Sequence, residues 1–510
     1  MSGSMELSTS MFLDRLRATA EAQPGKIAIE FRAESGTERI TYETLVERTA
    51  RTAAWLAERG VDPGDRVAIC LPKTVACFQL HLAACSMGAV SLPLNPAYSA
   101  AELEYLLQDS GARAVVGSLQ PDWEETAEYL GAAVATTVIR IDPDRFGELL
   151  SRRAMDLSSV QIDPNQTALM LYTSGTTGQP KGACMSHRSL TANMDMLGEA
   201  WAWSSHDVLL HALPLFHVHG LLVALHGALH AGASSVVHSG FNADRTLHDL
   251  RSGECNVFMG VPTMYRRLLD VAGDEHAAMR HIRLLTSGSD RLPVESFRRI
   301  EEKFGFRVVE RYGMTETGIM TSNPLNGDRV AGQVGIPLPG VEMRVADPDT
   351  GLASRPGVVG EFQTRGPHVF SGYWRDPEKT ARAFTDDGWF RTGDLGRGDE
   401  HGRLEIKGRM KDLIISGGLN VYPSEVEQAL AKHPAVEQCA VVGVPDAEWG
   451  ESVSAFVVSC ARGVGARELI DYCRQSLASY KTPKRVVFVE SLPRNAMGKV
   501  QKAKLLFPQT

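Results

Sequence analysis

The sequence predicts an α/β protein: a large N-terminal region of two parallel-rich βαβ sheets plus a small antiparallel sheet, followed by a small α+β C-terminal domain. Three observations predict it. At 510 residues the chain exceeds what one hydrophobic core usually serves. From about Met11 to Gly240, short β-branched runs alternate with helical patterns, the mark of βαβ units. After Arg409 the texture becomes that of a separate α+β unit of about 100 residues, a typical domain size.

The elements follow in order. RVAIC, GAVSL, ARAVVG, TTVIRI, TALMLY, DVLLHALPL and SSVVHS read as strands, and NVFMGVP, IRLLTSG and FRVVERYG continue the series. Each of the last three ends in Gly, Pro or Ser, where open α/β sheets place ligand loops. From about Gly340 to Lys407, Gly and Pro become frequent and EMRVAD, GEFQTRG and GRLEIKG alternate as in an antiparallel sheet. Helix-like SEVEQALAKH and ARELIDYCRQSLASY then frame strand-like VEQCAVVGVP, VSAFVVS and KRVVFVE. The domains expected are 1–409 and 410–510, with the boundary at Arg409–Asp412.

Hydrophobic residues make up 43% and charged residues 22%, ordinary for a globular chain. A net charge of −8 argues against a general binder of nucleic acid or anionic membrane, which would carry a basic excess. Cys70, Cys77, Cys85, Cys184, Cys255, Cys439, Cys460 and Cys473 form no C-x-x-C pair, so they read as reduced thiols rather than disulfides or a zinc site. No apolar run reaches membrane-spanning length. The start, MSGSMELSTS, lacks a signal-peptide pattern and resembles an expression scar ahead of Met5. The expectation is a cytoplasmic enzyme, monomeric or a small homo-oligomer.

The densest chemistry is YTSGTTGQPKG, Tyr172 to Gly182, where hydroxyls and glycines follow a buried strand and a lysine closes the run. Such a loop suits phosphate, because glycines let backbone N–H groups approach an anion. It is not a Walker A loop, since Pro180 precedes Lys181 and Gly182 follows it. A flexible linker would have the composition but seldom follows a buried strand so closely. Further along stand RYGMTET (Arg311 to Thr317), GWFRTGD (Gly388 to Asp394), GRMKD (Gly408 to Asp412), SGGLNVYPSEVE (Ser416 to Glu427) and PRNAMGK (Pro493 to Lys499).

Together these motifs resemble, in order and approximate spacing, those of the adenylate-forming superfamily of acyl-CoA synthetases, adenylation domains and luciferases. The resemblance implies an ATP-dependent acid–thiol ligase. A carboxylate attacks the α-phosphate of ATP, pyrophosphate leaves, and the thiol of coenzyme A displaces AMP from the acyl-adenylate. Developing charge on phosphate calls for Lys, hydroxyls, backbone N–H and Mg²⁺.

Carried over by motif, Thr173, Ser174, Gly175, Thr176, Thr177, Gly178 and Lys181 hold the β- and γ-phosphates. Tyr312 offers a face to adenine, Thr315 a hydroxyl to the α-phosphate, and Glu316 an oxygen to magnesium. Asp394 and Arg409 match the ribose ligands, and Lys411 the hinge. Lys499 matches the lysine that the small domain inserts for adenylation, and Gly418 the glycine laid along the pantetheine path for thioesterification. The resemblance therefore implies a mobile C-terminal domain used in two orientations. His217 matches a residue gating the acyl pocket; metal binding by His211, His217, His219, His226 and His230 is disfavoured, as no Cys or carboxylate completes a set.

Three stretches, FHVHGL, ERYGMTETGIMTSNP and PRNAMGKVQK, look most like malonyl-CoA synthetases. A dicarboxylate needs a partner for its second charge, and the matching positions are Arg267 in GVPTMYRRLL and Ser289 in TSGSD, with Met314 also facing the acyl group. The other reading of Arg266 and Arg267 is an exposed helix face. Asp290, Arg291, Val218, Gly318 and Ile319 depart from the subfamily's usual residues. Malonate or methylmalonate leads, with short or medium monocarboxylates or aryl acids behind it. A luciferase-type oxygenase, a carrier-protein-loading domain and a non-catalytic nucleotide-binding module are the competing functions; Lys181, Glu316 and Lys499 together speak against the last.

Overall fold

The computed structural model describes residues 11–150, 153–174, 180–273, 279–446, 448–460, 463–494 and 499–505. The chain divides into two compact units, one of residues up to Glu342 with Thr364–Phe390, the other of Met343–Gln363 with the residues from Arg391 on. The predicted α/β class is found.

The first unit is built on two large sheets. One has nine strands, whose middle runs parallel from Val309–Met314 through Leu284–Ser287, Val257–Gly260, Val208–His211 and Ser234–His238 to Ile27–Ala33. Antiparallel strands flank it at both ends. The other has seven, with Val90–Pro93, Arg66–Cys70, Ala114–Ser118 and Thr137–Ile141 parallel, and Thr167–Ser174 and Pro180–Ser186 forming an antiparallel hairpin at one side.

The helix Val75–Ser86 explains how the sheets share one core. Its sequence, VACFQLHLAACS, is apolar all round, and every one of its 12 residues is buried. A helix with no polar face must be covered on all sides. It joins Phe78, Leu80 and Leu82 to Ile29 and Phe31 of the nine-stranded sheet and to Val67, Ile69, Val116 and Leu169 of the seven-stranded one. Three polar side chains, Gln79, His81 and Ser86, are carried inside with it.

The second unit holds the small sheet of Glu342–Ala346, Gly360–Arg365, Phe390–Gly398 and Leu404–Arg409, and a five-stranded sheet that includes Gly450–Ser459 and Val436–Asp446. Helices Pro423–Leu430 and Ala466–Arg474 supply Val426, Leu430, Leu469 and Cys473 to its core. The expected boundary at 409/410 falls inside this unit, where the strand Leu404–Arg409 passes into a single 3₁₀ turn, Met410–Asp412.

Candidate active site

The hydroxyl run lies at the tip of the hairpin Thr167–Ser174 and Pro180–Ser186, where Thr173 pairs with Lys181. Gly175, Thr176, Thr177 and Gly178 lie outside the described residues, as does the side chain of Ser174. Lys181 stands with its Nζ 5.1 Å from the centre of the Tyr373 ring. That tyrosine belongs to Gly372–Tyr373, an edge strand paired with Pro180–Ser186. Its phenol donates to Glu316 Oε1 at 3.0 Å. Burial first, and the Glu316 charge next, hold the phenol well above its usual range, so it remains a donor. One tyrosine thus ties the hairpin of Thr167–Ser174 and Pro180–Ser186 to RYGMTET. The backbone adds a second tie, Phe370 N–H donating to Glu316 O at 2.8 Å.

RYGMTET itself runs along the strand Val309–Met314 and turns at Thr315–Thr317. Tyr312 and Glu316 are buried, while Thr315 and Met314 are half-buried. The turn is closed by Gly318 at φ +60, where a Cβ would sit 2.5 Å from Asn193 Nδ2. Asn193, fully buried, donates through that nitrogen to Thr317 O and Ile319 O at 3.3 and 3.2 Å. The departure at Gly318 therefore has a packing cause: only glycine fits this backbone and this neighbour.

A second group of polar residues gathers where the strands Leu284–Ser287 and Val309–Met314 lie side by side. Arg311 is buried there, and Nε and Nη2 of its guanidinium have no hydrogen-bond partner among the described residues. Burial lowers it to about 9, still charged at neutral pH. The backbone at Gly288 lies so close that a Cβ would be 2.4 Å from Arg311 Cζ. Ser289 follows at φ +67, an uncommon conformation for serine. Its hydroxyl stands 3.2 Å from His219 Nδ1. His219 Nε2, Ser287 Oγ and Thr286 Oγ1 are also buried with no partner among the described residues. Burial, then the Arg311 charge, keeps His219 neutral, and burial lowers half-buried His217 to about 4.

The sequence expectation for Arg267 needs correction in one respect. Helix Pro262–Val271 turns Met264, Tyr265, Leu268 and Leu269 inward, leaving Arg266 and Arg267 exposed, so Arg267 does not sit in a closed, water-free setting. Tyr265 is the inward residue, donating to Thr286 O at 2.5 Å. Asp290, one of the departures from the subfamily, is exposed, and its carboxylate accepts from Arg291 N–H at 2.8 Å. His226 and His230 are both buried. His226 Nε2 meets His81 Nε2 at 2.6 Å under the ring of Phe12, and His230 meets Asp195 at 2.8 Å.

In the second unit, Asp394 and Arg409 are directly opposed across adjacent strands, with Arg409 Nε 3.3 Å from Asp394 Oδ1. Asp394 is buried and Arg409 half-buried. Lys411 is exposed. Gly418 is exposed at φ +77, and a Cβ there would meet nothing within 4 Å. Lys499 is half-buried beside the bridge between Arg494 and Val500.

Residues 16–374 match the family described as AMP-binding enzyme, and residues 425–499 match the AMP-binding enzyme C-terminal domain. The chain belongs to the AMP-binding enzyme family. This AMP-binding enzyme is 36% identical over 506 residues to the mitochondrial malonate–CoA ligase of Mus musculus, covering 91% of this chain and 86% of that protein. Against the crystal structure of ATP-bound MatB from Rhodopseudomonas palustris it has a TM-score of 0.88 and 42% identity, over 96% of this chain and 97% of that one. Against the O-succinylbenzoate coenzyme A synthetase of Bacillus subtilis in complex with ATP and magnesium, the values are 0.85 and 31%, over 96% and 98%.

Sequence reasoning on this AMP-binding enzyme did not single out Tyr373, Asn193, Gly288 or Arg311, which the structure packs around the candidate residues. Arg311 alone had a visible signal, a charge inside the strand-like run FRVVERYG. No helix among the described residues of the enzyme is long and apolar enough to cross a membrane.

Proposed function

We propose that this enzyme joins a short dicarboxylate, malonate or methylmalonate, to coenzyme A at the expense of ATP, through an acyl-adenylate. The observation that carries the choice of acid is Arg311. A buried guanidinium with two unpaired nitrogens is costly unless an anion meets it, and a carboxylate is the partner its fork suits. Ser289 and His219 add polar atoms at the same place. Arg267 enters as a second cation reached from the exposed face of the helix that carries Tyr265.

At the other end of the substrate, Lys181 and the hydroxyl run hold the β- and γ-phosphates, and Thr315 meets the α-phosphate. No group of three His, Cys, Asp or Glu side chains that could hold a metal occurs among the described residues. Glu316 fits a magnesium ion that takes one carboxylate from the protein and its other oxygens from phosphates and water, the ion's usual pattern in such sites. Bound there, it would neutralise developing phosphate charge. Tyr373 orients the Glu316 carboxylate. Asp394 and Arg409 grip the ribose, and Lys499 bridges the reacting carboxylate and α-phosphate. The small domain then turns about Lys411 and presents Gly418 to the pantetheine arm. Free thiols at all eight cysteines suit a reducing cytoplasm.

Pyrophosphate release across a panel of acids tests the reading. Malonate should exceed butyrate in kcat/KM by roughly 10⁴, since a site built around a polar partner rejects its absence. Arg311→Met should collapse that ratio, whereas Arg267→Met, removing an exposed charge, should change it by less than about tenfold. A wild-type preference for butyrate or an aromatic acid would overturn the dicarboxylate reading.

A further inference from the structure

Lys73 is not used by the chemistry above, yet it is tied into its supports. It lies in the loop between the strand Arg66–Cys70 and the buried helix Val75–Ser86, one residue before that helix's N-cap, Thr74. Its Nζ is 2.7 Å from His211 Nδ1 and 3.1 Å from His211 O. His211 ends the strand Val208–His211 of the other large sheet, so the amine links the two sheets at the C-terminal ends of parallel strands. His211 Nε2 is in turn 2.8 Å from Gly220 O.

These contacts settle the tautomer. Gly220 O can only accept, so His211 Nε2 carries the hydrogen, and Nδ1 must accept from Lys73. Burial above all lowers His211 to about 3, which keeps the ring in this neutral form; burial also holds the Lys73 amine well below the ordinary lysine range, and an amine donates to Nδ1 whether charged or neutral. Gly220 has no freedom to drift, because its α-carbon is pressed against Pro214, whose carbonyl oxygen would lie 2.1 Å from a Cβ. Phe216, His217 and Val218 lie between these two residues, and His219 begins the π-helical turn His219–His226. His219 then reaches Ser289.

We propose that Lys73 is a positioning residue for acyl recognition: through His211 and Gly220 it fixes the turn 214–220, and with it the placing of His217 and His219 against Ser289 and Arg311. Lys73 touches no substrate. Without its hydrogen, His211 Nδ1 and His211 O are left as buried acceptors, nothing pins that side of the ring, and its hydrogen bond to Gly220 O slackens. The turn then loosens on the acid's side of the site, while the phosphate contacts of Lys181, Tyr373 and Glu316 stay as they are.

The inference rests on the proposed reaction, though not on which acid is taken. In the full-length enzyme, Lys73→Met should raise KM for malonate about tenfold, the worth of one such hydrogen bond, with KM for ATP unchanged. His211→Leu should reproduce the effect. His211→Gln, which keeps a donor toward Gly220 and an acceptor toward Lys73, should restore the wild-type KM. Nitrogen NMR of the His211 ring should show the Nε2–H tautomer in the wild type, with the Nδ1 resonance moving to that of an unbonded acceptor in Lys73→Met. Equal losses toward ATP and acid in Lys73→Met and His211→Leu, or an unchanged Nδ1 resonance, would overturn the proposal. So would a failure of His211→Gln to recover, and this holds even if Lys73→Met does not fold. If the wild type prefers a monocarboxylate, the dicarboxylate reading fails, but the KM split measured on the preferred acid still decides the role of Lys73.

Discussion

At residue scale, two neighbours on one strand show how burial sets opposite protonation demands. Arg311 stays charged, whereas Glu310 is raised to about 7 by burial, against the opposing pull of Gly332 N–H and Arg291. The N–H of Gly332 donates to Glu310 Oε1 at 2.9 Å. A carboxyl whose folded pKa is raised favours the fold most below its unfolded pKa, near 4.5, and that contribution is lost as pH rises to about 7. Glu310→Gln keeps an oxygen for Gly332 and cannot ionise. Its melting temperature should match the wild type near pH 4 and exceed it at pH 8, by up to about 3 kcal/mol in stability. Thermal melts at the two pH values check this, and a constant difference would show that Glu310 is not the group titrating.

At the scale of elements, strand exits carry the site. The end of Leu284–Ser287 brings Gly288 against Arg311 and turns Ser289 toward His219. Gly288→Ala should therefore act through Arg311, cutting kcat/KM for malonate by more than tenfold while leaving butyrate nearly untouched, as steady-state rates with both acids would reveal. A loss shared by both acids would mean general damage to the sheet. Much of this was legible beforehand. RVAIC, NVFMGVP and IRLLTSG become parallel strands because β-branched runs ending in Gly, Pro or Ser encode that geometry locally. The buried strand ahead of the hydroxyl run was legible for the same reason. What stayed hidden is long-range. That Tyr373 meets Glu316, 57 residues earlier, depends on which edge strand pairs with Pro180–Ser186. That Arg267 faces outward while Tyr265 faces inward depends on the helix's rotation against the sheet, and a run of two arginines does not disclose it.

At the scale of the whole molecule, the proposed cycle uses the small domain twice. Lys499→Ala should lose about 10²–10³ in adenylation yet still convert supplied acyl-adenylate and coenzyme A to thioester. Gly418→Leu should do the reverse, retaining pyrophosphate exchange. At φ +77 any side chain at 418 is strained, so Gly418→Asn, whose residue tolerates that conformation, serves as the control for strain alone. Mutants failing equally in both half-reactions would contradict the two assignments. The entire fold also carries an acid limit. His81 and His211 are lowered to about 3, His187, His217 and His368 to about 4, and His219 and His226 well below 6.5, all by burial first. A base lowered in this way stabilises the fold above its unfolded pKa and ceases to as pH falls. Near pH 5.5 unfolding should therefore take up protons, with Glu310 offsetting only part of the uptake, and comparing unfolding enthalpies in buffers of different ionisation heat measures it; an uptake near zero would contradict the reading. The neutral imidazole pair of His81 and His226, packed beneath Phe12, thus gives denaturation a chemical sign. In a weakly buffered solution each molecule that acid unfolds withdraws protons from its surroundings, so the collapse raises the pH that provoked it and shelters the molecules still folded.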